Sequence, residues 1–100
     1  MNTVAPEATA FAHRQSNWLL SAGLQWNEPI SDNLLADRLA WLNGFYDGVR
    51  AFASQGAFQN FPDPSLKTWA QDYYQGNLAR LRQIKANIDP DSVFQFPQAI

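Results

Sequence analysis

From Trp18 to Trp26 the chain alternates, with Trp18, Leu20, Ala22, Leu24 and Trp26 interleaved with Leu19, Ser21, Gly23 and Gln25. Successive side chains of a strand point to opposite sides, so this alternation predicts a half-buried strand with an apolar even-numbered face. The stretch Ala8 to Arg14 is a weaker extended candidate to pair with it. Asn27-Glu28-Pro29 ends the strand, because Pro29 cannot donate to a ladder. Beyond it the period changes. Leu35, Leu39, Leu42, Tyr46, Val49 and Ala53 recur at steps of four and three, and Leu34, Trp41, Phe45 and Phe52 widen the stripe. The spacing predicts a long amphipathic helix from about Asp32 to Ala53, capped by Ser31 or Asp32 and stopped at Ser54-Gln55-Gly56. Gly44 and Gly48, four apart within it, allow another backbone to come close.

Gly56 to Pro64 holds two prolines and two phenylalanines in a short span, which argues for an ordered, extended loop. Asp63-Pro64 predicts a helix start, with Leu66, Trp69 and Tyr73 sharing a face up to Gly76. Asn77 then caps another helix, in which Leu78, Leu81, Ile84 or Lys85, and Ile88 follow helical spacing until Asp89-Pro90. The short apolar tail Val93-Phe94-Gln95-Phe96-Pro97 is expected to pack onto the domain. Residues 1–7 carry no periodic pattern and read as a loose arm. The fold class that follows is α+β in one domain over residues 1–100: an antiparallel strand element on a long helix, then two short helices. A lone strand has two unsatisfied edges, so neighbours from a second chain or a larger protein are expected.

Composition narrows the functions. One hundred residues with 46% hydrophobic and 16% charged positions suit one soluble domain. Seven Lys and Arg stand against nine Asp and Glu, and the cations are mostly interleaved with acids. Nucleic-acid binding requires a basic stripe that displaces counterions, and none is present. No cysteine occurs, so disulfides, thiolate metal sites and cysteine nucleophiles are excluded. His13 is the only histidine and has no acid at helical spacing, so no metal site is expected. The chain shows no signal peptide or membrane-length apolar run, which makes a cytoplasmic location the default expectation.

The most specific stretch runs from Trp69 to Pro97. It contains Tyr73-Tyr74-Gln75-Gly76-Asn77, Arg80-Leu81, Lys85, Asp89-Pro90, Phe94 and Phe96-Pro97 in that order. This resembles the C-terminal signature of berberine-bridge-like FAD-linked oxidases, where a Tyr-Tyr-Gly-x-Asn-like element precedes Arg-Leu, a Lys, Asp-Pro and a Phe-x-x-Pro ending. Gln75 stands before the glycine where many members have no residue. Upstream, Phe58-Gln59-Asn60-Phe61-Pro62-Asp63 is similar to the family's Tyr-x-Asn-Tyr/Phe-x-Asp loop. Ala10-Phe11-Ala12-His13-Arg14 is similar to its Ala-Phe-Pro-His-Arg element, with Ala12 in place of Pro.

The resemblance implies a fragment of the substrate domain of a vanillyl-alcohol-oxidase-type flavoprotein. That domain has an antiparallel sheet with helices behind it, and its chemistry removes hydride from a C–H bond to FAD. It also implies that the pyrophosphate loops and the flavin-linking His and Cys lie upstream. The chain by itself is therefore expected to bind no flavin and to be inactive.

Phe58 stands where many members have a proton-moving Tyr, and phenylalanine cannot move a proton, so it reads as an apolar pocket wall. Asn60, Tyr74 and Asn77 are the residues the resemblance places toward the flavin. Asn60 equally suits a tie within the loop, Tyr74 a core aromatic, and Asn77 a helix cap. His13 with Arg14 reads as a structural histidine beside a surface arginine, and Trp18, Trp26 and Trp41 as core. Arg80, Arg82 and Lys85 read as a solvated helix face. Two partners fit this picture, a separate FAD-binding subunit or a second copy in a homodimer with Trp18 and Trp26 near the contact. The competing function is a free-standing dimerisation or binding module without redox activity, favoured by Met1 lying close to the matched region.

Overall fold

A computed structural model describes residues 3–54 and 56–100. The first two residues of the expected arm, Met1 and Asn2, and Gln55 of the expected helix stop lie outside the described residues. Among the described residues, Pro6–Ala8 forms a 3-10 turn, and three helices follow: α1 (Asp32–Arg50), α2 (Trp69–Tyr74) and α3 (Leu78–Ile88). A second 3-10 turn, Gln75–Asn77, joins α2 to α3. By contact the chain divides into two compact units, Met1–Asn17 with Gly56–Ile100, and Trp18–Gln55.

The α+β expectation is overturned, because no strand exists among the described residues. Alternation marks a face that would suit a strand, but a strand forms only where a neighbour completes its ladder. No residue of Trp18–Trp26 has regular secondary structure, and its side chains are exposed on both parities, Trp18 at 93% and Leu19 and Leu20 as well. Trp26 instead lies by α1, with the Arg38 guanidinium 6.0 Å from its ring centre. The expected pairing segment turns too: Arg14 N donates to Ala12 O at 2.8 Å, which breaks an extended run. Trp18, Trp26 and Trp41, expected in a core, are all exposed.

The long helix is found where its period placed it. Ser31 is the N-cap, its Oγ accepting from Leu34 N at 3.3 Å, and Arg50 sits in the last turn, favourably for the helix dipole. Phe52 and Ala53 continue in a looser turn, with Phe52 N on Val49 O and Ala53 N on Arg50 O.

Among the described residues, the buried positions belong to the other unit: Ala12, Leu66, Tyr73, Asn77 and Asp89. There α2 begins at Trp69 rather than at Pro64. Asp63 is the cause, since its Oδ1 accepts from Ser65 N (2.8 Å) and Ser65 Oγ (2.7 Å). Leu66 N adds a bond to Asp63 O at 3.1 Å. A side chain that closes a turn on itself competes with helix, and here the turn prevails. The last helix ends at Ile88, as Asp89-Pro90 predicts.

Candidate functional site

Four stretches of the sequence meet around Tyr73, whose side chain is 2% exposed. Its hydroxyl accepts from Asp63 N (2.9 Å) and donates to Gln98 Oε1 (3.1 Å), while Gln98 Nε2 donates to Asp63 O (2.7 Å). One phenol thus ties the Phe58–Asp63 loop to the C-terminal tail. Both hydroxyl functions are used, as a buried polar group requires.

The segment Pro6–Arg14 is strapped down as well. Asn77 Nδ2 donates to Pro6 O (2.9 Å) and Thr9 O (3.0 Å), consuming both amide hydrogens. Its side chain makes no cap bond to α3, so the cap expectation is replaced by this longer-range tie. Residues 6 and 7, the end of the expected loose arm, belong to the turn that Asn77 holds. His13 Nε2 lies 3.0 Å from Tyr73 O, and a carbonyl can only accept, so the ring proton sits on Nε2. Gln75 Nε2 then donates to His13 Nδ1 at 3.3 Å. Gly56 backs the ring so closely that a Cβ built there would lie 2.6 Å from ring atoms.

Gln75 has φ 48° and ψ −125°, whereas Gly76 has no positive φ. The backbone conformation that favours glycine therefore falls one residue before the glycine of this motif. Such strain costs of order 1–3 kcal/mol and persists where surroundings over-determine it. The His13 bond is one such constraint.

The residues singled out from sequence fall into two groups. Phe58 is half-buried, edge-on to Phe11 (5.9 Å, 85°) and tilted against Phe61 (5.7 Å, 57°), a wall of rings with Arg14 4.9 Å over Phe11. Asn60 is exposed on this loop. Tyr74 and Asn77 sit together at the α2–α3 junction. Tyr74 is half-buried and edge-on to Tyr73 (6.2 Å, 90°), and burial, helped by Tyr73, raises its pKa so that it stays a neutral phenol. Asn77 lines a small cleft of about 180 Å³ with Arg80, Leu81 and Ile84.

Sequence reasoning missed the pair that shapes the tail. Lys85, expected in solvent, bonds the Asp89 carboxylate and donates to Phe94 O at 2.6 Å. Asp89 also accepts from Val93 N (2.7 Å) and Phe94 N (3.1 Å). The spacing i, i+4 on a helix end was the available signal. The tail is thereby fixed through its backbone, while Val93, Phe94 and Phe96 remain exposed rather than packed as expected. Its last residues, Gln98 to Ile100, are half-buried.

The Lys85 bond, with the two backbone donors, holds the Asp89 pKa below its ordinary value. A depressed carboxylate stabilises fully above the unfolded-state value of about 3.9, and that contribution is lost as pH falls through the lower folded value. Melting temperature should therefore drop on acidification below about pH 4, with the loss much reduced in Asp89→Asn. Equal acid sensitivity of the two proteins would exclude Asp89 as the source.

No group of three or more His, Asp or Glu that could hold a metal occurs among the described residues. Among them, no helix is long and apolar enough to cross a membrane. For a dinucleotide, α1 presents an N-terminus already capped by Ser31, and Gly56 is closed by the His13 ring. The pyrophosphate of FAD is held by open backbone N–H groups, and at these two places one N–H, that of Leu34, is taken by the cap and the glycine is closed by a ring.

Residues 57–100 match the family described as berberine and berberine like. The chain is 31% identical to the uncharacterized FAD-linked oxidoreductase YgaK of Bacillus subtilis (strain 168), over 97% of this chain and 21% of that protein. It is 28% identical to berberine bridge enzyme-like C-1 of Nicotiana tabacum, over 100% of this chain and 23% of that protein. With the aclacinomycin-N/aclacinomycin-A oxidase of Streptomyces galilaeus it shares 31% identity, over 95% of this chain and 20% of that protein. No solved structure matches the chain. The chain spans about a fifth of the length of these relatives. It is a relative of the berberine-bridge-type FAD-linked oxidoreductases, and its residues 57–100 are a berberine-and-berberine-like region.

Proposed function

We propose that this chain is the C-terminal segment of a FAD-dependent oxidoreductase of the berberine-bridge type, and that it is not catalytic by itself. The observation that carries this is how the shared signature is used. Tyr73, Asn77, Lys85 and Asp89 brace the strap, the loop and the tail, and none of them builds a phosphate cradle. A signature spent on bracing suits a segment that shapes one wall of a site whose flavin is held elsewhere in the protein. Flavin, when bound there, supplies the hydride acceptor. This chain supplies the loop with the apolar Phe58 wall and Asn60, and the half-buried Tyr74 phenol, all on the flavin side. Asn77 has only its Oδ1 left for a ligand, so its part is chiefly to hold the junction that carries Tyr74. The partner is accordingly a flavin-holding portion of the same family.

The purified chain, mixed with excess FAD and passed through gel filtration, should emerge without absorbance between the near-ultraviolet and the blue. A yellow chain that keeps its flavin alone would overturn this assignment.

A further inference from the structure

Leu34, Trp41 and Phe45 stand at steps of seven and four on α1, which puts them on one face, and Phe52 follows in the turn beyond. All four are exposed, Trp41 at 60% and Phe52 at 92%. Trp41 and Phe45 stack at 5.9 Å with 19° between their rings, forming a ridge. Gly44 and Gly48 fall on the same side, and a Cβ built on either meets no atom within 4 Å. Beside the aromatic ridge there is thus a shallow groove floored by two glycines, shaped to take a side-chain ridge from a neighbour. Asp37 stands on this face as well, one turn before Trp41, and belongs at the polar rim of any contact. The stripe Leu35, Leu42 and Val49, by contrast, is half-buried.

An apolar patch of this extent marks a contact surface. Proportion indicates its occupant: the relatives are four to five times longer than this chain, which matches 20–23% of three of them. We propose that this face of α1 is the docking surface for the flavin-holding portion of a berberine-bridge-type oxidoreductase. Trp41 and Phe45 enter an apolar recess there, and a partner ridge lies in the Gly44–Gly48 groove. The inference rests on the functional assignment above and adds to it the surface through which the two parts join.

The test is to co-express the tagged chain with the part of the YgaK polypeptide that it does not match, and to read flavin absorbance per purified chain. Wild type and Asn43→Glu, on the opposite side of α1, should bring down a yellow partner. The double variant Trp41→Glu/Phe45→Glu should lose at least ten-fold of that absorbance. Because the face is exposed, the double variant alone should melt at the wild-type temperature. A double variant that still retains the yellow partner overturns the docking surface and leaves the functional assignment standing. A wild-type chain that retains no flavin-loaded partner overturns both. If the chain alone is a dimer that the double variant converts to a monomer, the occupant is a second copy and the proposal fails. A double variant unfolded on its own also refutes it, since the face would then be covered within the chain.

Discussion

Replacing Gly56 with alanine is expected to destabilise the Tyr73-centred unit by about 1–3 kcal/mol, the usual cost of forcing atoms into a filled site. The added methyl would lie 2.6 Å from both Cε1 and Nδ1 of His13 and 2.9 Å from Gln75 Nε2. None of these atoms retreats freely. The imidazole is held at Nε2 by Tyr73 O and at Nδ1 by Gln75, whose own backbone sits at a positive φ. Backbone strain at the glycine plays no part, because Gly56 does not have a positive φ. That allows a sharp second arm. With the ring removed by His13→Ala, the same Gly56→Ala change meets no imidazole, and a Gly-to-Ala change at a permissive φ stabilises by about 0.4–1 kcal/mol through the unfolded chain. Denaturant unfolding of the four proteins therefore measures a coupling between the two sites, with the sign of the glycine substitution reversing in the His13→Ala background. If Gly56→Ala costs the same in both backgrounds, the close approach to His13 does not set its effect.

How much of this was legible in the sequence depends on the range of the interaction. The period of Leu35, Leu42 and Val49 and the cap at Ser31 are local, and α1 forms within them as expected. The stop at Asp89-Pro90 is local too. The strand expectation at Trp18–Trp26 failed because alternation reports side-chain polarity, while a strand also needs backbone partners that no local pattern supplies. At Asp63 the two local signals conflicted: the same side chain that caps a helix also closes a turn on Ser65, and nothing in the residue order says which prevails.

The candidate site divides along the same line. His13 was legible as a structural residue, and it is half-buried and hydrogen-bonded at both ring nitrogens. The ties from Asn77 to Pro6 and Thr9, and from Gln98 to Asp63, span dozens of residues and had no local signal. Gln75 is the instructive intermediate. Gly76 marked the end of the helix in the sequence, but it is Gln75 that takes the positive φ, held by contacts that the residue order does not show.

Asn77→Asp is expected to be the more damaging of two substitutions at the strap, costing about 3 kcal/mol at neutral pH against roughly 1–2 kcal/mol for Asn77→Ala. The alanine variant removes two donors from Pro6 O and Thr9 O, and Thr9 is exposed enough for water to replace part of the loss. The aspartate variant is nearly isosteric but turns a donor group toward the same two carbonyls into a carboxylate oxygen, at a side chain that is buried. Burial and two carbonyl neighbours both disfavour the charged form, so the introduced carboxyl should titrate above its unfolded-state value of about 3.9. The folded protein then binds more protons than the unfolded one, and its stability must fall as pH rises through that interval. Lowering the pH from 7 to about 5 should accordingly recover part of the stability lost in Asn77→Asp, because the protonated acid regains one O–H donor for the strap, whereas Asn77→Ala should recover none. Unfolding curves at the two pH values, with proteolysis in residues 6–14 as a local readout of strap release, make the comparison. An aspartate variant that is as stable as wild type at pH 7, or as insensitive to pH as the alanine variant, would show that Asn77 does not hold the strap through its amide.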